Sequence, residues 1–326
     1  MKDLIIMRAS QEITRWPLVS IIVLNWDQPD LTLACLDTLA GIDYAPFEII
    51  VVDNGSSDGS PAIIRDRYPD VRLIENGINL GFSEGNNIGI RDALSRRADY
   101  ILLLNNDTVV DPGFLKALIQ VAESDSQIGV VTPKIYYFNN PTKIWCAGAQ
   151  IDWETGETYR LRAEEKDNSE SDNEFPQDVK FVSGCAMCIK RSVIEKVGFL
   201  DPRYFAYYEE VDWCVRITRK NYRCVYVPKS KIWHIVSASI GVDSPLASYY
   251  MTRNQLLFLW NNAPGIRRYQ LTIRSLLNDF RTISAYSMKK KYRKQRKNQN
   301  AMFWALRDAL LGRYGEVDPL VKARFR

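Results

Sequence analysis

The sequence predicts an α/β protein with a doubly wound, mainly parallel sheet, followed by a helical extension at the C-terminal end. Short apolar segments alternate four times with helical patterns between residues 19 and 124, over short connections. Such alternation is typical of parallel sheets covered by helices. Three of the four predicted strands also end in Asn or Asp. Parallel strands bring these polar ends to one edge, which is where ligands bind in open α/β sheets.

The first half of the chain supplies four strands and four helices. The strands are short apolar runs, predicted at residues 19–24, 47–52, 71–74 and 100–104. The helices are predicted from apolar spacing and helix-start signals. The first covers residues 27–40, the second begins at residue 60, the third ends at about residue 97, and the fourth covers residues 114–124. Asp27 is a plausible cap of the first helix, and Ser60 followed by Pro61 is a typical start of the second. The glycine-rich residues 76–87 are interpreted as a loop that leads into the third helix.

Beyond residue 125 the pattern is less regular. Another strand is predicted at residues 129–137. Residues 164–178 are acidic and lack apolar anchors, so they are interpreted as a mobile loop or insertion. Regular structure is expected to resume at residues 181–189. The resulting division is one domain over residues 17–240 and a helical, basic extension over residues 241–326.

Composition and charge argue against several classes of protein. The chain has 43 Lys and Arg against 39 Asp and Glu, a net charge of +4, and no nucleic-acid recognition motif accompanies this mild excess. Six cysteines in 326 residues do not look like a disulfide framework, and the apolar surroundings of Cys185 and Cys188 favour packed thiols over a zinc or redox site. Because no signal peptide and no apolar run of ~18 residues is found, a cytoplasmic protein is expected.

The end of the fourth predicted strand is the strongest candidate site. Its apolar residues are followed at once by Asn105, Asn106 and Asp107. An acidic residue at such a strand end can hold a divalent cation against a phosphate. A simple polar turn explains these three residues equally well when they are considered alone.

Five motifs occur in order over roughly residues 17–240. They read Val-Ser-Ile-Ile-Val-Leu-Asn at 19–25, Val-Val-Asp-Asn-Gly-Ser-Ser-Asp at 51–58, Asn-Leu-Gly-Phe-Ser-Glu-Gly-Asn-Asn at 79–87, Leu-Leu-Asn-Asn-Asp at 103–107 and Tyr-Glu-Glu-Val-Asp at 208–212. Together they resemble the family 2 glycosyltransferases, the inverting group with the GT-A fold, especially the rhamnosyltransferase-like members. The resemblance implies a nucleotide-sugar donor (a UDP- or dTDP-sugar), a saccharide or lipid-linked acceptor in surface-glycan synthesis, a divalent cation (Mg²⁺ or Mn²⁺) and a carboxylate base.

The resemblance also assigns roles to single residues. Asp107 matches the last acid of the family's Asp-x-Asp motif and is assigned to the metal, although Asn105 replaces the first acid. His234, the only histidine, follows the acidic helix and the next strand, where it can reach the same metal. The donor-binding residues are then Asn25, Asp53, Asn79, Gly81, Asn86 and Asn106. The alternative for these donor-binding residues is a structural role, in turns that end a strand or begin a helix.

Glu210 stands where the family carries its catalytic base, usually the Asp of a Glu-Asp pair. A positioned carboxylate accepts the proton of the acceptor hydroxyl as that oxygen attacks the anomeric carbon. Asp212 is the second candidate for this role. The alternative is structural, because acids in the first turn of a helix favour its dipole and Asp212 with Arg216 makes an i,i+4 pair.

Two features of the C-terminal extension lie outside the five motifs. Seven cations crowd into residues 289–297, which favours peripheral association with an anionic membrane, although a solvated tail is the default for such runs. Arg253 and Asn254 match a Tyr–Arg–Asn pattern common beyond the core of such enzymes, with a surface helix as the alternative.

Two other functions compete with glycosyl transfer. A non-catalytic nucleotide-sugar-binding subunit is the second hypothesis, because Asn105 and Glu210 depart from the family's motifs. A dinucleotide oxidoreductase is disfavoured, since no Gly-x-Gly-x-x-Gly follows the first predicted strand.

Overall fold

A ten-stranded sheet runs through the centre of the molecule. The computed structural model describes residues 15–167, 175–236, 244–288 and 296–325. The strands of these ranges are β1 Val19–Asn25, β2 Phe47–Asp53, β3 Arg72–Glu75, β4 Tyr100–Asn105, β5 Thr108–Val110, β6 Ile128–Tyr137, β7 Asn140–Cys146, β8 Ala149–Asp152, β9 Glu157–Arg160, β10 Gln177–Val179, β11 Ala186–Lys190 and β12 Arg223–His234. All of them join the central sheet except β8 and β9, which pair with each other.

Helices cover both faces of this sheet and form the C-terminal extension. They are α1 Pro29–Leu39, α2 Ser60–Arg67, α3 Gly81–Ser95, α4 Phe114–Ser124, α5 Arg191–Val197, α6 Glu209–Thr218, α7 Pro245–Asn262, α8 Arg267–Met288, α9 Arg296–Leu310 and α10 Pro319–Lys322. None of the described helices is long and apolar enough to cross a lipid bilayer.

The first four strands are parallel, in the order β4-β1-β2-β3. Val19 lies opposite Phe47 of β2 and Tyr100 of β4, so the three strands start level with one another. The same register sets Asn25 opposite Asp53 at the other end. The predicted α/β class and the convergence of polar strand ends are therefore confirmed.

The other half of the sheet is mixed. Strand β11 lies antiparallel between β4 and β6, and β12 runs parallel to β6. Strand β12 is long, because it continues from Arg223 through two register shifts to His234. Its final residues pair with β5, which sets His234 opposite Thr108.

Two apolar clusters flank the sheet, one on each face. Neighbouring residues of β1 contribute to opposite clusters, Ile22 to one and Ile21 to the other, as the period of two along a strand requires. The cluster around Ile22 also contains Phe258 of α7 and Leu271 of α8. The helical extension thus completes the core of one face of the sheet.

Two predicted helix starts are wrong in detail. Helix α1 begins at Pro29, and Asp27 does not cap it; its backbone is left-handed (φ 51°), and its carboxylate accepts a hydrogen bond from the amide of Ser57 at 2.7 Å. The glycine-rich residues 76–87 do not form one loop, since α3 already begins at Gly81.

The acidic segment 164–178 is only partly described, because residues 168–174 lie outside the described ranges. Its ends do not fit the prediction of an unanchored loop. The carboxylate of Asp167 is 7% exposed and lies 3.1 Å from the ammonium group of Lys134, which is 5% exposed. Residues 177–178 belong to β10, which pairs with β12.

Candidate functional site

A hydrogen-bonded network joins the ends of β1 and β2. The side-chain amide of Asn25 donates to Asp53 at 2.8 Å and to Ser56 at 3.1 Å, and its oxygen accepts from the Thr32 hydroxyl at 2.6 Å. Thr32 in turn accepts from Asn106 at 3.1 Å. Asn25, Asp53 and Asn106 are buried. Three of the predicted donor-binding residues are therefore held together in one hydrogen-bonded cluster at the carboxyl ends of the strands.

Asp53 also accepts from the backbone amide of Ser56 at 3.0 Å and from its hydroxyl at 2.6 Å. The Asp53 side chain thus closes a turn with the amide three residues on, which is a structural role of the kind that the sequence offered as the alternative. The turn and the network together fix the carboxylate in place at the end of β2.

Asp107 and His234 meet next to this network. Strand pairing between β5 and β12 brings them together, and the His234 Nε2 lies 3.1 Å from the Asp107 Oδ1. The ring of Trp145 packs edge-on against the imidazole, with 4.7 Å between ring centroids. Asp107 Oδ1 and His234 Nδ1 are buried. Neither atom meets a partner at hydrogen-bond distance and angle within the described residues, since the Asp107–His234 contact is close but not aligned as a hydrogen bond. Buried polar atoms of this kind call for a partner.

The donor chemistry of this pair fits one divalent cation with few protein ligands. Within the described ranges no group of three or more His, Cys, Asp and Glu side chains forms a metal cage. A carboxylate and an imidazole would thus be the protein's ligands. Mg²⁺ commonly keeps waters and binds substrate phosphates besides one or two carboxylates, so two ligands suffice for a cation that arrives with a diphosphate.

Helix α6 begins with two neighbouring acids, Glu209, which is buried, and Glu210, which is partly buried. Glu209 is 5% exposed, and one carboxylate oxygen of Glu209 and one of Glu210 lack hydrogen-bond partners within the described part of the chain. Burial raises the pKa of Glu210 to about 7. Burial, and then the charge of Glu210, raises the pKa of Glu209 well above its usual value. Glu210 therefore titrates near neutral pH, which suits a general base.

Asp212 has a different environment on the same helix. Its carboxylate accepts from Arg216 at 2.7 Å, from Asn262 of α7 at 2.7 Å and from the Tyr204 hydroxyl at 3.2 Å. These contacts hold α6 against α7 and occupy both oxygens. The contacts thus favour Glu210 over Asp212 as the base.

A short segment between β10 and β11 connects Glu210 with the end of β4. A Cβ placed on Gly184 would lie 3.7 Å from the Glu210 Cβ. The carbonyl of the next residue, Cys185, accepts from the amide of Asn105 at 2.9 Å. Glu210 and the Asn105–Asp107 turn therefore lie on either side of the same few residues.

The predicted donor-binding residues of segment 79–87 shape the start of α3. Asn79 accepts from the amide of Gly81 at 2.8 Å, and the side-chain amide of Asn86 donates to the carbonyl of Phe82 at 2.8 Å. The amides of Phe82 and Ser83 donate to the carbonyl of Phe205 at 2.6 and 3.2 Å. The first backbone amides of α3 therefore donate hydrogen bonds to other residues of the chain.

Sequence reasoning missed Thr32 and Ser56, which link the predicted residues to one another. Ser56 lies in the segment Asn54–Asp58, whose Asn, Gly, Ser and Asp residues are typical of turns. Thr32 carried no signal, because its partners are distant in sequence: Asn25 ends β1, and Asn106 lies in the turn after β4.

Comparisons with known proteins show the family of this chain. The family model described as "Glycosyl transferase family 2" matches residues 20–198. An N-acetylglucosaminyl-diphospho-decaprenol L-rhamnosyltransferase of Mycobacterium tuberculosis is 29% identical over 247 residues, covering 68% of this chain and 76% of the relative. A dTDP-rhamnosyl transferase, RfbF, of Shigella flexneri is 26% identical over 266 residues, covering 76% of this chain and 82% of the relative.

The fold matches solved structures as well. A mannosyltransferase from Pyrobaculum calidifontis, solved with GDP-Man and Mn²⁺, aligns with a TM-score of 0.57 at 15% identity over 92% of this chain and 88% of its own. The likeness shows a GT-A-like fold.

Proposed function

The chain belongs to glycosyl transferase family 2, and we propose that it transfers rhamnose from dTDP-rhamnose to a lipid-linked saccharide. The similarity to two rhamnosyltransferases, one of them named for a dTDP donor and one for a diphospho-lipid acceptor, supports this choice. As a member of this family it is an inverting glycosyltransferase of glycan synthesis. A non-catalytic binding subunit is accordingly not favoured.

In the proposed reaction Glu210 accepts the proton of the acceptor hydroxyl. The freed oxygen attacks the anomeric carbon from the face opposite the diphosphate and forms the new glycosidic bond. The old bond between carbon and phosphate oxygen breaks with its electron pair, which leaves on the nucleoside diphosphate. The buried carboxylate oxygen of Glu210 and its pKa of about 7 support this role, because a base is most effective when its pKa lies near the working pH.

Asp107 and His234 are proposed to hold a Mg²⁺ or Mn²⁺ ion. When bound, such an ion neutralises the charge that develops on the leaving diphosphate. The part of the site that binds the nucleoside of the donor is proposed to be lined by Asn25, Asp53 and Asn106. The hydrogen-bond network that these residues share supports this assignment. Asn79, Gly81 and Asn86 are proposed to act by shaping the start of α3, since their groups make contacts within the chain.

The observation that supports the proposal is the pairing of Asp107 with His234 on one side of residues 184–185 and Glu210 on the other, with one buried Glu210 oxygen that has no hydrogen-bond partner among the described residues. The test measures thermal shift by dTDP and release of dTDP from dTDP-rhamnose, each with and without Mn²⁺. Asp107→Ala is expected to remove the Mn²⁺-dependent part of the shift, because a ligand stabilises by mass action. His234→Ala is expected to weaken the dependence on Mn²⁺ while the fold stays intact. Glu210→Gln is expected to keep nucleotide binding and to lower transfer by about 10²- to 10⁴-fold.

Asp43→Asn serves as the control, since that carboxylate is 74% exposed and pairs only with Lys116 at 3.1 Å among the described contacts. Binding of the nucleotide without any turnover in the wild type would contradict the enzyme and favour a binding subunit. Mn²⁺-dependent stabilisation that survives in Asp107→Ala would exclude the proposed metal pair.

A second proposal concerns the location of the reaction. Helix α8 carries four arginines and a single acidic residue, Asp279. Large apolar side chains of α8 and of the residue before it are about half exposed or more, namely Ile266, Tyr269, Ile273, Leu277 and Phe280. The basic run 289–297 follows directly, although residues 289–295 lie outside the described ranges. Apolar side chains beside cations are typical of surfaces that bind anionic lipid, so peripheral association with such a membrane is proposed.

A further inference from the structure

Arg253 and Asn254 lie at the centre of the C-terminal extension and are completely buried. Both have 0% exposure, so the alternative of a surface helix is wrong for these residues of α7. The Arg253 guanidinium lies over the rings of Tyr249, Tyr250 and Tyr314 at 5.2, 5.0 and 5.8 Å. Its Nε donates to the side-chain oxygen of Asn254 at 3.0 Å. This bond fixes the amide of Asn254, since its oxygen faces the arginine and its nitrogen must point away.

The nitrogen of Asn254 points at the segment that precedes α6. It lies 2.7 Å from the carbonyl of Tyr204, 2.7 Å from that of Ala206 and 2.9 Å from that of Tyr207. One side-chain amide thus gathers three carbonyls from four successive residues. Arg253 adds longer contacts to the carbonyls of Arg203 and Tyr204, at 3.4 and 3.3 Å.

The backbone that Asn254 holds is strained. Phe205, Tyr207 and Tyr208 all have positive φ values, of 63°, 68° and 73°. Bulky residues with a Cβ avoid this region unless the surrounding structure enforces it, and such strain clusters at functional sites. The contacts from α7 supply that enforcement, because they satisfy the carbonyls that the unusual backbone turns towards the core.

The strained segment leads straight into the first turn of α6. Tyr208 is the residue before the helix, and Glu209 and Glu210 follow it. The same segment also contacts the start of α3, where the Phe205 carbonyl accepts from the amide of Phe82 at 2.6 Å. A change in the path of residues 204–208 would therefore shift the carboxylate of Glu210.

We propose that Asn254, oriented by Arg253, is a positioning residue that sets the location of the base Glu210 through the strained residues 204–208. This inference rests on the proposed role of Glu210 as base. It gives the helical extension a direct part in the transfer reaction, although Asn254 itself touches no reacting atom.

The test compares Asn254→Asp, Asn254→Ala and the control Gln255→Ala. The aspartate has nearly the same shape as asparagine, but as a carboxylate it cannot donate to the three carbonyls. Gln255 is the next residue of the same helix, and its amide contacts Gly156 at 3.5 Å rather than residues 204–208. Each variant is assayed for kcat, for the KM of the sugar nucleotide, for the pH dependence of kcat and for the melting temperature.

Both Asn254 variants are expected to lower kcat by roughly 10- to 100-fold, as misplacement of a catalytic group by about 1 Å does. The KM of the donor is expected to change less than about two-fold, and the acidic limb of the kcat profile is expected to move to lower pH as water reaches Glu210. Gln255→Ala is expected to match the wild type in all three kinetic measures.

Wild-type kcat and an unmoved acidic limb in Asn254→Asp would overturn the proposal, whatever its melting temperature. So would a loss of kcat that is matched by an equal loss of folded protein, because a purely structural role predicts that result. Failure of the proposed function itself would be recognised separately, since Glu210→Gln would then retain the wild-type rate.

Discussion

At the residue scale, the site depends on polar side chains whose burial leaves some of their hydrogen bonds unmade. The sequence predicted Asn25 and Asp53 correctly as neighbours, because the register of parallel strands follows from the apolar runs before them. The sequence did not show which of Glu210 and Asp212, on the same helix, is the better candidate for the base. The decisive partner of Asp212, Asn262, comes from a helix 50 residues further along, and no local pattern announces such a contact.

The raised pKa of Glu210 predicts how stability depends on pH. An unfolded glutamate has a pKa of about 4.3, whereas burial raises the pKa of Glu210 to about 7 in the folded chain. Between these values the folded state binds more protons than the unfolded state, so the stability contributed by this group is lost as pH rises through the window. Glu210→Gln stays neutral and is therefore expected to be more stable than the wild type by about 1–3 kcal/mol at pH 8.

The difference is expected to fall to about 0.3 kcal/mol at pH 4, below the unfolded pKa of about 4.3, because the carboxyl is then largely protonated in both states. Urea unfolding at both pH values measures the difference. Glu154→Gln, at an exposed turn position, is the control and is expected to show no such dependence. A Glu210→Gln variant no more stable than the wild type at pH 8 would contradict the buried state of this carboxyl.

At the scale of elements, α3 shows where local reasoning fails. Glycine and asparagine disfavour helix interiors, which is why residues 76–87 were predicted to form a loop. The structure shows why the helix forms there. Cβ atoms at Gly85 and Gly89 would lie 2.8 Å from a Leu24 methyl and 2.7 Å from an Ile22 methyl, so glycine allows α3 to pack closely on β1. Tertiary packing outweighs propensity at this position.

Gly81 and Gly59 offer a matched test of the close approach at the start of α3. Both have positive φ values, 77° and 84°, but a Cβ at position 81 would lie 2.5 Å from the carbonyl oxygen of Phe205, whereas one at position 59 would meet nothing within 4 Å. Gly59→Ala is expected to cost about 1–2 kcal/mol from the backbone conformation alone. Gly81→Ala is expected to cost about 1–3 kcal/mol more, because backbone atoms must move apart.

Denaturant unfolding of the two variants measures this difference, and dTDP-dependent thermal shift reports on the site. Gly81→Ala is also expected to lower transfer activity, since the Phe205 carbonyl belongs to the segment before Glu210. Equal destabilisation by the two substitutions would show that the approach of α3 to Phe205 is not tight.

At the scale of the whole molecule, the helical extension is part of the enzyme's core rather than an appendage. Leu257, Phe258 and Leu271 belong to the same apolar cluster as Ile22 of the sheet. The five motifs and their order could be recognised from the sequence, because each motif lies at a strand end or a helix start that local residue patterns predict. The sequence did not predict that α7 would support the segment before α6, since those contacts span about 50 residues and carry no periodic signal.

The surface of this extension leads to a prediction about membrane binding. Pelleting with phosphatidylglycerol vesicles is expected for the full chain, and pelleting with neutral phosphatidylcholine vesicles is not. Each cation near an anionic surface contributes about 1 kcal/mol, so changing all seven to Gln is expected to lower vesicle affinity by far more than ten-fold; the seven are Lys289, Lys290, Lys291, Arg293, Lys294, Arg296 and Lys297.

The exposed apolar side chains of α8 are expected to contribute a separate part of that affinity. Ile273 and Leu277, 57% and 52% exposed, lie four residues apart and therefore on one face of the helix. Changing both to Ser is expected to weaken binding without changing the salt dependence, because the apolar contribution is not screened by ions. The control replaces Arg65 and Arg67, exposed cations of α2, by Gln and is expected to pellet like the wild type. Undiminished pelleting of the seven-cation variant would refute the lipid role of the basic run and would not bear on the proposed role of Glu210.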